Sequence, residues 1–426
     1  MPQIVPLHRK TKNPNTSAIH AVQDRFVIVP TTDARPKFRD LRNPHVAPQG
    51  NPMMLLQTYR QAGGTGDMTG EALMQKIPVV FAETFAPGDY QRITGEADNP
   101  LLNLWTGPEI QPSGYKPKAE DVAPLLEFLK RLFPIDEERL YFRDWLAWTV
   151  RYPARRINAT VLLRSEHGVG KGFLAETVLP GLLGKSSVGT VALGDVVGTF
   201  NDALVGKTCI LIDEVYKNAD ATVNALKAIQ GNQTITLRRK HIPDTCVNNH
   251  LNFIMSSNDY YPLPLEREDR RFWVPAFIKH KESKEETMRF INQQLKPWLL
   301  EQGGMQLTRD LLETVDLSEF QPWGDPPMTD SKREMIGFSP KEDLAEFVAD
   351  YVASHSVVKP RDIELEFQTA TGEVVGNRTV PAELLKQGCL RKRDGRHGVL
   401  YITPTGLQSG LSADSATAEL VRVYAA

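Results

Sequence analysis

The sequence predicts an α/β protein organised on a mostly parallel, covered sheet, and three observations predict it. Residues 158–172 (NATVLLRSEHGVGKG) run from an apolar strand pattern, Val161 to Leu163, into a loop with Gly168, Val169, Gly170, Lys171 and Gly172. A helix is expected next, over 173–183. Four further apolar stretches stand at 188–193, 208–212, 234–237 and 251–255, with a helical pattern at 221–229 between two of them. Strands alternating with helices favour parallel pairing, because each crossover returns along a face of the sheet. Finally, residues 209–214 (CILIDE) deliver two adjacent carboxylates, Asp213 and Glu214, to a strand end. In an open parallel sheet that end is where ligands bind.

A strand that feeds a glycine loop and a helix N-terminus is the geometry that holds a polyphosphate. Backbone N–H groups converge, the helix dipole adds partial positive charge, and a lysine reaches the outer phosphates. Ser165, Gly168, Val169, Gly170, Lys171, Gly172 and Phe173 form the expected phosphate-binding set. The usual pattern G-x-x-x-x-G-K-[ST] is incomplete, with Ser165 at its first position and Gly172 where a hydroxyl normally touches Mg²⁺. A metal here must rely on phosphate, water and a carboxylate elsewhere. By itself such a loop is equally an ordinary strand-to-helix turn.

The bulk properties bound the rest. A chain of 426 residues has room for two or three domains, and 41% hydrophobic with 24% charged residues is a globular composition. No apolar run has the length of a membrane span, and the N-terminus has no secretory pattern. Cys209, Cys246 and Cys389 are widely spaced, which suits a reducing, cytoplasmic setting and excludes a disulfide framework or zinc knuckle. A net charge of −2 means that any nucleic-acid contact comes from a local patch.

In chain order, residues 1–117 hold fourteen of the 30 prolines and read as an irregular extension packed on its neighbour, with short strand-like pieces at 25–29 and 77–81. No paired acidic motif of a primase or polymerase stands in this part. Residues 118–156 read as a helical collar, two helices at 119–133 and 136–151 broken by Pro134. Tyr141, Trp145 and Trp148 line one face of the second helix and suit a core or a subunit contact. The α/β core is expected over 157–302, ending in a polar helix at 281–300. A linker over 303–340 leads to a small domain at 341–426. There, Leu344, Phe347, Val348 and Tyr351 mark one helix, 380–386 another, and 389–402 a basic hairpin turning near Asp394-Gly395. This pattern fits a winged-helix module or a generic α+β cap.

The candidate chemistry extends along the core. Of the acid pair, one carboxylate suits Mg²⁺ and the other suits activation of an attacking water. The stretch 251–255 ends in Ser256-Ser257-Asn258, and an amide at that tip can hold the water; the alternative is a turn-forming Asn. Asp269-Arg270-Arg271-Phe272 follows, and an arginine on a shared surface can reach a neighbour's γ-phosphate. Between them, 227–241 has basic and no acidic residues. The alternating 234–237 followed by Arg238, Arg239, Lys240 and His241 suggests a β-hairpin with a cationic tip suited to nucleic-acid phosphates.

The ordered series SEHGVGKG, ILIDE, LKAIQGNQTITLRRKH, IMSSN and DRRF resembles the superfamily 3 helicase core, in the branch of phage and plasmid replication helicases related to the poxvirus primase-helicase. LLNLWTGPEIQP at 101–112 resembles the N-x-W-x-G entry to that domain. The resemblance covers roughly 101–278. It implies an AAA+-like P-loop domain with a helical N-terminal collar and a small C-terminal winged-helix-like domain, assembled as a ring, usually a hexamer, around single-stranded DNA. It implies ATP and Mg²⁺ as cofactors, Lys171 on the β/γ-phosphates, Asp213 on the metal, Glu214 as base and Asn258 as polar sensor. Arg270 or Arg271 is the expected finger supplied in trans, with Arg271 favoured by its place before Phe272. Lys240 and His241 match the family's DNA-gripping pair. A primase or polymerase is a further expected partner. Two other readings stay open, a non-catalytic replication initiator or adaptor on the same scaffold and an AAA+ protein remodeller.

Overall fold

The structure, a computed structural model, describes residues 13–31, 35–213, 220–240, 242–266, 268–337, 340–371, 375, 379–394 and 398–425. Backbone contacts divide the chain into two units, 1–263 with 269–332, and 264–268 with 333–426.

The N-terminal part of the larger unit is built from regular elements, which corrects the expectation of an irregular extension. A helix at Pro14–Gln23 is capped by Asn13, whose side chain accepts from the Asn15 N–H at 3.0 Å. Strand β1 (Phe26–Val29) pairs antiparallel with β2 (Lys37–Asp40), and helices Met53–Gln61 and Gly70–Met74 follow. Ala18, Val22, Phe26, Phe38, Tyr59 and Leu73 are buried together in a small core. The prolines misled because Pro14 and Pro52 stand at helix starts, where a missing N–H is harmless. A second small sheet joins β3 (Ala82–Thr84), β4 (Ile93–Glu96) and β5 (Asn99–Asn103).

Immediately after β5, the N-x-W-x-G stretch has a physical basis. Asn103, fully buried, accepts from the Ala86 and Trp105 N–H groups and donates to the Ala86 and Asp89 carbonyls. Gly107 has φ +66° and lies against the Trp105 ring, where a Cβ would stand 2.9 Å from the indole.

The central sheet contains β6 (Thr160–Arg164), β7 (Val188–Val191), β8 (Cys209–Ile212), β11 (Asn252–Ser257) and β12 (Phe272–Trp273) in the order β12-β6-β11-β8-β7, all parallel. Every residue of β6, β8 and β11 is buried, as expected for strands covered on both faces. The stretch 234–237 is not part of this sheet. It lies in β9 (Thr234–Arg239), which pairs antiparallel with β10 (Ile242–Asn248) as a separate hairpin. Only Ile235 and Leu237 of that stretch are buried, the alternation of a strand with one wet face.

Helices at Ala123–Leu132 and Asp136–Arg151 cover the sheet. Trp145 and Trp148 are buried, and Phe133, Phe142 and Trp145 form a stack reaching Trp273 of β12, so this aromatic stripe is core. Two helices carry an internal π-type turn, Leu174–Val178 and Ile291–Leu295, each followed two residues later by a proline, Pro180 and Pro297. A mid-helix proline lacks an N–H and crowds the preceding turn, and a widened turn relieves both. Residues 303–340 are only partly a linker. Gly304–Thr314 is a helix whose Met305 and Leu312 join the central core.

The smaller unit orders helices Pro340–Ser354, Pro360–Thr371 and Thr379–Lys386 around a three-stranded antiparallel sheet of β13 (Val357–Val358), β15 (Gly398–Ile402) and β14 (Leu390–Asp394), with helices Pro404–Gln408 and Thr417–Ala425 after it. The expected hairpin is β14–β15; its turn, including Gly395, lies outside the described residues.

The turn before β12 rests on Asp269. Its buried carboxylate pairs with Lys227 at 2.8 Å and accepts from the Arg271 and Phe272 N–H groups, while its carbonyl accepts from Lys332 at 2.6 Å. Replacing one member of a buried ion pair costs about 3 kcal/mol or more. Asp269→Ala should therefore lower the urea unfolding stability of the larger unit by about that amount, and a loss under 1 kcal/mol would show the pair to be dispensable.

Candidate functional site

The site is built where the C-terminal ends of β6, β11 and β8 meet. The Ser165 N–H donates to the Ser257 carbonyl at 3.0 Å, which ties the loop after β6 to the end of β11. Gly168 (φ +86°) and Gly170 (φ +111°) adopt left-handed backbone that a side chain would strain. At Gly170 a Cβ would also stand 2.8 Å from the Phe128 ring of the covering helix. Val169 is buried in the central core, and Phe173 packs edge-on to Phe128 at 5.8 Å. Gly172 has open space around its would-be Cβ and no positive φ, so neither sterics nor backbone requires glycine there.

Lys171 opens the helix and bends back over the strand ends. Its ammonium donates to the Ser257 carbonyl at 2.8 Å and to the Asn258 side-chain oxygen at 3.2 Å. Burial lowers its pKa to about 8, against the opposing pull of Asp213. Asp213 follows β8 with an exposed carboxylate, one oxygen of which accepts a short hydrogen bond from the Ser256 hydroxyl. Lys171, Asp213 and Asn258 thus converge through two residues of β11. Glu214 lies outside the described residues.

Several residues that hold this loop were missed by sequence reasoning, because each acts through the fold. The Glu166 carboxylate accepts from the His280 N–H at 2.9 Å, and the His280 ring lies 3.1 Å from the His167 carbonyl. The Lys284 stem covers Gly168, with its Cε 3.2 Å from the position a Cβ would take. Arg164, buried on β6, donates to the Tyr260 carbonyl at 2.6 Å and the Pro275 carbonyl at 3.3 Å.

The two arginines separate. Arg270 is exposed, whereas Arg271 is half-buried with its guanidinium against Gly231 of the same chain. Arg270 is therefore the more exposed of the two. In the hairpin, Lys240 is exposed in the turn between β9 and β10. Arg238 is exposed, 3.5 Å from Asp244, and its backbone is clamped by the Asn201 side chain at 2.7 Å. The side chains of Arg239 and His241 are outside the described residues.

The parallel sheet, the strand–loop–helix unit and the carboxylate on a nearby strand define an α/β protein of P-loop-like build. Residues 163–271 match the model of DUF5906, a family of unknown function. The DNA primase-polymerase of Nitratiruptor phage NrS-1 is 28% identical over 164 residues, 37% of this chain and 23% of that protein, so this chain spans under a quarter of that relative's length. An apo structure of the NrS-1 C-terminal region superposes with TM-score 0.57 at 17% identity, covering 92% of this chain and 100% of that one. A second apo structure of the same region gives 0.56 at 16% identity with the same coverage. These likenesses show a shared fold. Among the described residues no helix is long and apolar enough to cross a membrane.

The depressed Lys171 pKa has a consequence for stability. Between about pH 8 and the ordinary lysine value of 10.5, the unfolded chain binds more protons at this position than the folded chain, so this residue makes stability rise with pH. The urea midpoint should climb less from pH 7.5 to 9.5 in Lys171→Met than in the parent. An equal climb in both proteins would place the ammonium in water.

Proposed function

We propose that this chain is an ATP-driven single-stranded-DNA translocase and helicase of the superfamily 3 type, acting in replication of a phage, plasmid or other mobile element. The observation that carries this reading is the convergence of a half-buried Lys171 ammonium with Asn258 and Asp213 at the ends of adjacent parallel strands. Lys171 is positioned to leave its carbonyl and amide partners for the β/γ-phosphates of ATP, which would restore its charged form. Asn258 then holds the attacking water, and Glu214 supplies the base. The phage primase-polymerase relative supports a replication setting, with a primase or polymerase as partner.

The residues present fit Mg²⁺ arriving with its nucleotide. Asp213 offers an exposed carboxylate oriented by Ser256, and among the described residues no cluster of three or more His, Cys, Asp or Glu forms a dedicated protein cage. When bound, the ion would neutralise charge on the phosphates. Arg270 would cross to the next subunit of a hexameric ring, and the exposed Lys240 with Arg238, Arg239 and His241 would grip the strand in its channel. The smaller unit, with its helix–strand–helix–helix–hairpin order, is read as a winged-helix-type module. Gly172 favours one second reading, a DNA-binding adaptor that does not hydrolyse ATP.

Three measurements bear on these readings. Lys171→Ala should abolish DNA-stimulated ATPase activity, a fall of at least a hundredfold; retained turnover would reject the assigned loop. Lys240→Ala should leave basal ATPase within about twofold while reducing unwinding tenfold or more. Equal losses would move that residue to the nucleotide. Gly172→Ser should fold normally and lower the Mg²⁺ concentration needed for half-maximal activity by several-fold. No ATPase in either the parent or this variant, with DNA present, would support the adaptor.

A further inference from the structure

A second cluster of charge lies away from the phosphate loop. A cavity of about 1720 Å³ opens between the N-terminal elements and the helices beyond the central sheet, and Arg42, His45, Arg92 and Lys185 stand on its wall. Its lining includes none of Lys171, Asp213 and Asn258. Nearby cations outside the cavity are neutralised, Arg25 by Asp40 at 2.7 Å and Arg39 by Glu83. The cavity cations are not: among the described residues, none of Arg42, Arg92 and Lys185 has a carboxylate at ion-pair distance. Arg92 donates only to the carbonyls of Trp105 and Thr106, and the adjacent Lys207 only to those of Ser186 and Val188 at 2.9 and 3.0 Å.

Like charges on the wall of one cavity disfavour one another until an anion arrives. Burial lowers the Arg92 pKa, and burial followed by the fields of Lys207, Arg39 and Arg92 lowers that of His45. Two acids, Asp24 and Glu109, also stand on the wall. The same lining also includes the apolar side chains of Ile110, Leu299, Leu300 and Met305. Gln23, Asn43 and Gln91 add amides that present both a donor and an acceptor.

We propose that this cavity binds nucleoside phosphate, with the phosphates against Arg42, His45, Arg92 and Lys185 and the base against the apolar wall. An acidic peptide would satisfy the cations, but its side chains offer only acceptors to the amides and to the two acids. A base edge offers both donors and acceptors. The volume exceeds the roughly 300–1000 Å³ of a small-molecule site, which favours the last two or three nucleotides of a strand over a free nucleotide. This site does not depend on the reading of the loop at Lys171.

The test uses the full chain with Lys171→Ala and Lys240→Ala to silence the loop and the hairpin. Fluorescence anisotropy would follow a labelled dT4 oligonucleotide and a labelled ATP analogue, before and after adding Arg42→Ala and Lys185→Ala. Both added changes are at exposed positions. Tenfold or greater weakening of dT4, with a reduced salt dependence, assigns the site to a strand end. The same loss for ATP alone assigns it to a free nucleotide. Leu300→Glu, at a residue 52% exposed, should weaken the same probe by a route that spares the cations. Affinities for both probes within twofold in variants with unchanged thermal midpoints would overturn the proposal. So would a Glu- and Leu-rich peptide that alone binds in an Arg42-dependent way.

Discussion

The candidate site depends on β11 being hydrogen-bonded along both edges, to β6 on one side and β8 on the other. A strand buried over its whole length must satisfy its backbone groups within the sheet, and two parallel neighbours do so. Their shared direction brings the residues following β6, β8 and β11 to one edge. Ser256, Ser257 and Asn258 stand there between the glycine loop and Asp213, and they touch both. An ammonium held on a carbonyl and an amide, partly stripped of water, is a charge prepared for exchange with a stronger acceptor.

Rigidity in the loop comes from packing as much as from its glycines. Phe128 closes over Gly170, the Lys284 stem over Gly168, and Glu166 is held by the backbone of His280. These contacts come from the helix at Ala123–Leu132, the helix at Lys284–Phe290 and the segment after β12, so the loop's shape is linked to all three. Asp269 performs a comparable task near the opposite edge, where its carboxylate fixes the turn that presents Arg270 outward and leaves Arg271 against the helix end at Gly231. Catalytic candidates and their supports thus occupy different parts of the sequence.

Local charge balance adds a feature that the overall composition conceals. A net charge of −2 is compatible with a cationic cavity because pairing is a matter of neighbours, not totals. Arg25 and Arg39 are matched by Asp40 and Glu83, while Arg42, only a few residues along, has no carboxylate at ion-pair distance among the described residues. That distinction arises when β1 and β2 pair and when the segment around Lys185 is folded against them.

The sequence by itself determined the strand–loop–helix unit at Lys171, the apolar strands leading to Asp213 and Asn258, the two helices on either side of Pro134 and the hairpin with Lys240 at its turn. Each is a local pattern, in which a period of two or 3.6, or a glycine before a lysine, reflects nearest-neighbour sterics and one-sided burial. Only the tertiary structure decided that 234–237 leaves the central sheet, that the proline-rich first hundred residues form elements with their own core, and that Arg270 rather than Arg271 faces outward. It also decided that Lys284, His280 and Phe128 hold the loop and that, among the described residues, Arg92 and its neighbouring cations have no carboxylate at ion-pair distance. Those outcomes follow from contacts between residues far apart in the chain, and burial and charge pairing at such distances leave no periodic trace in the sequence.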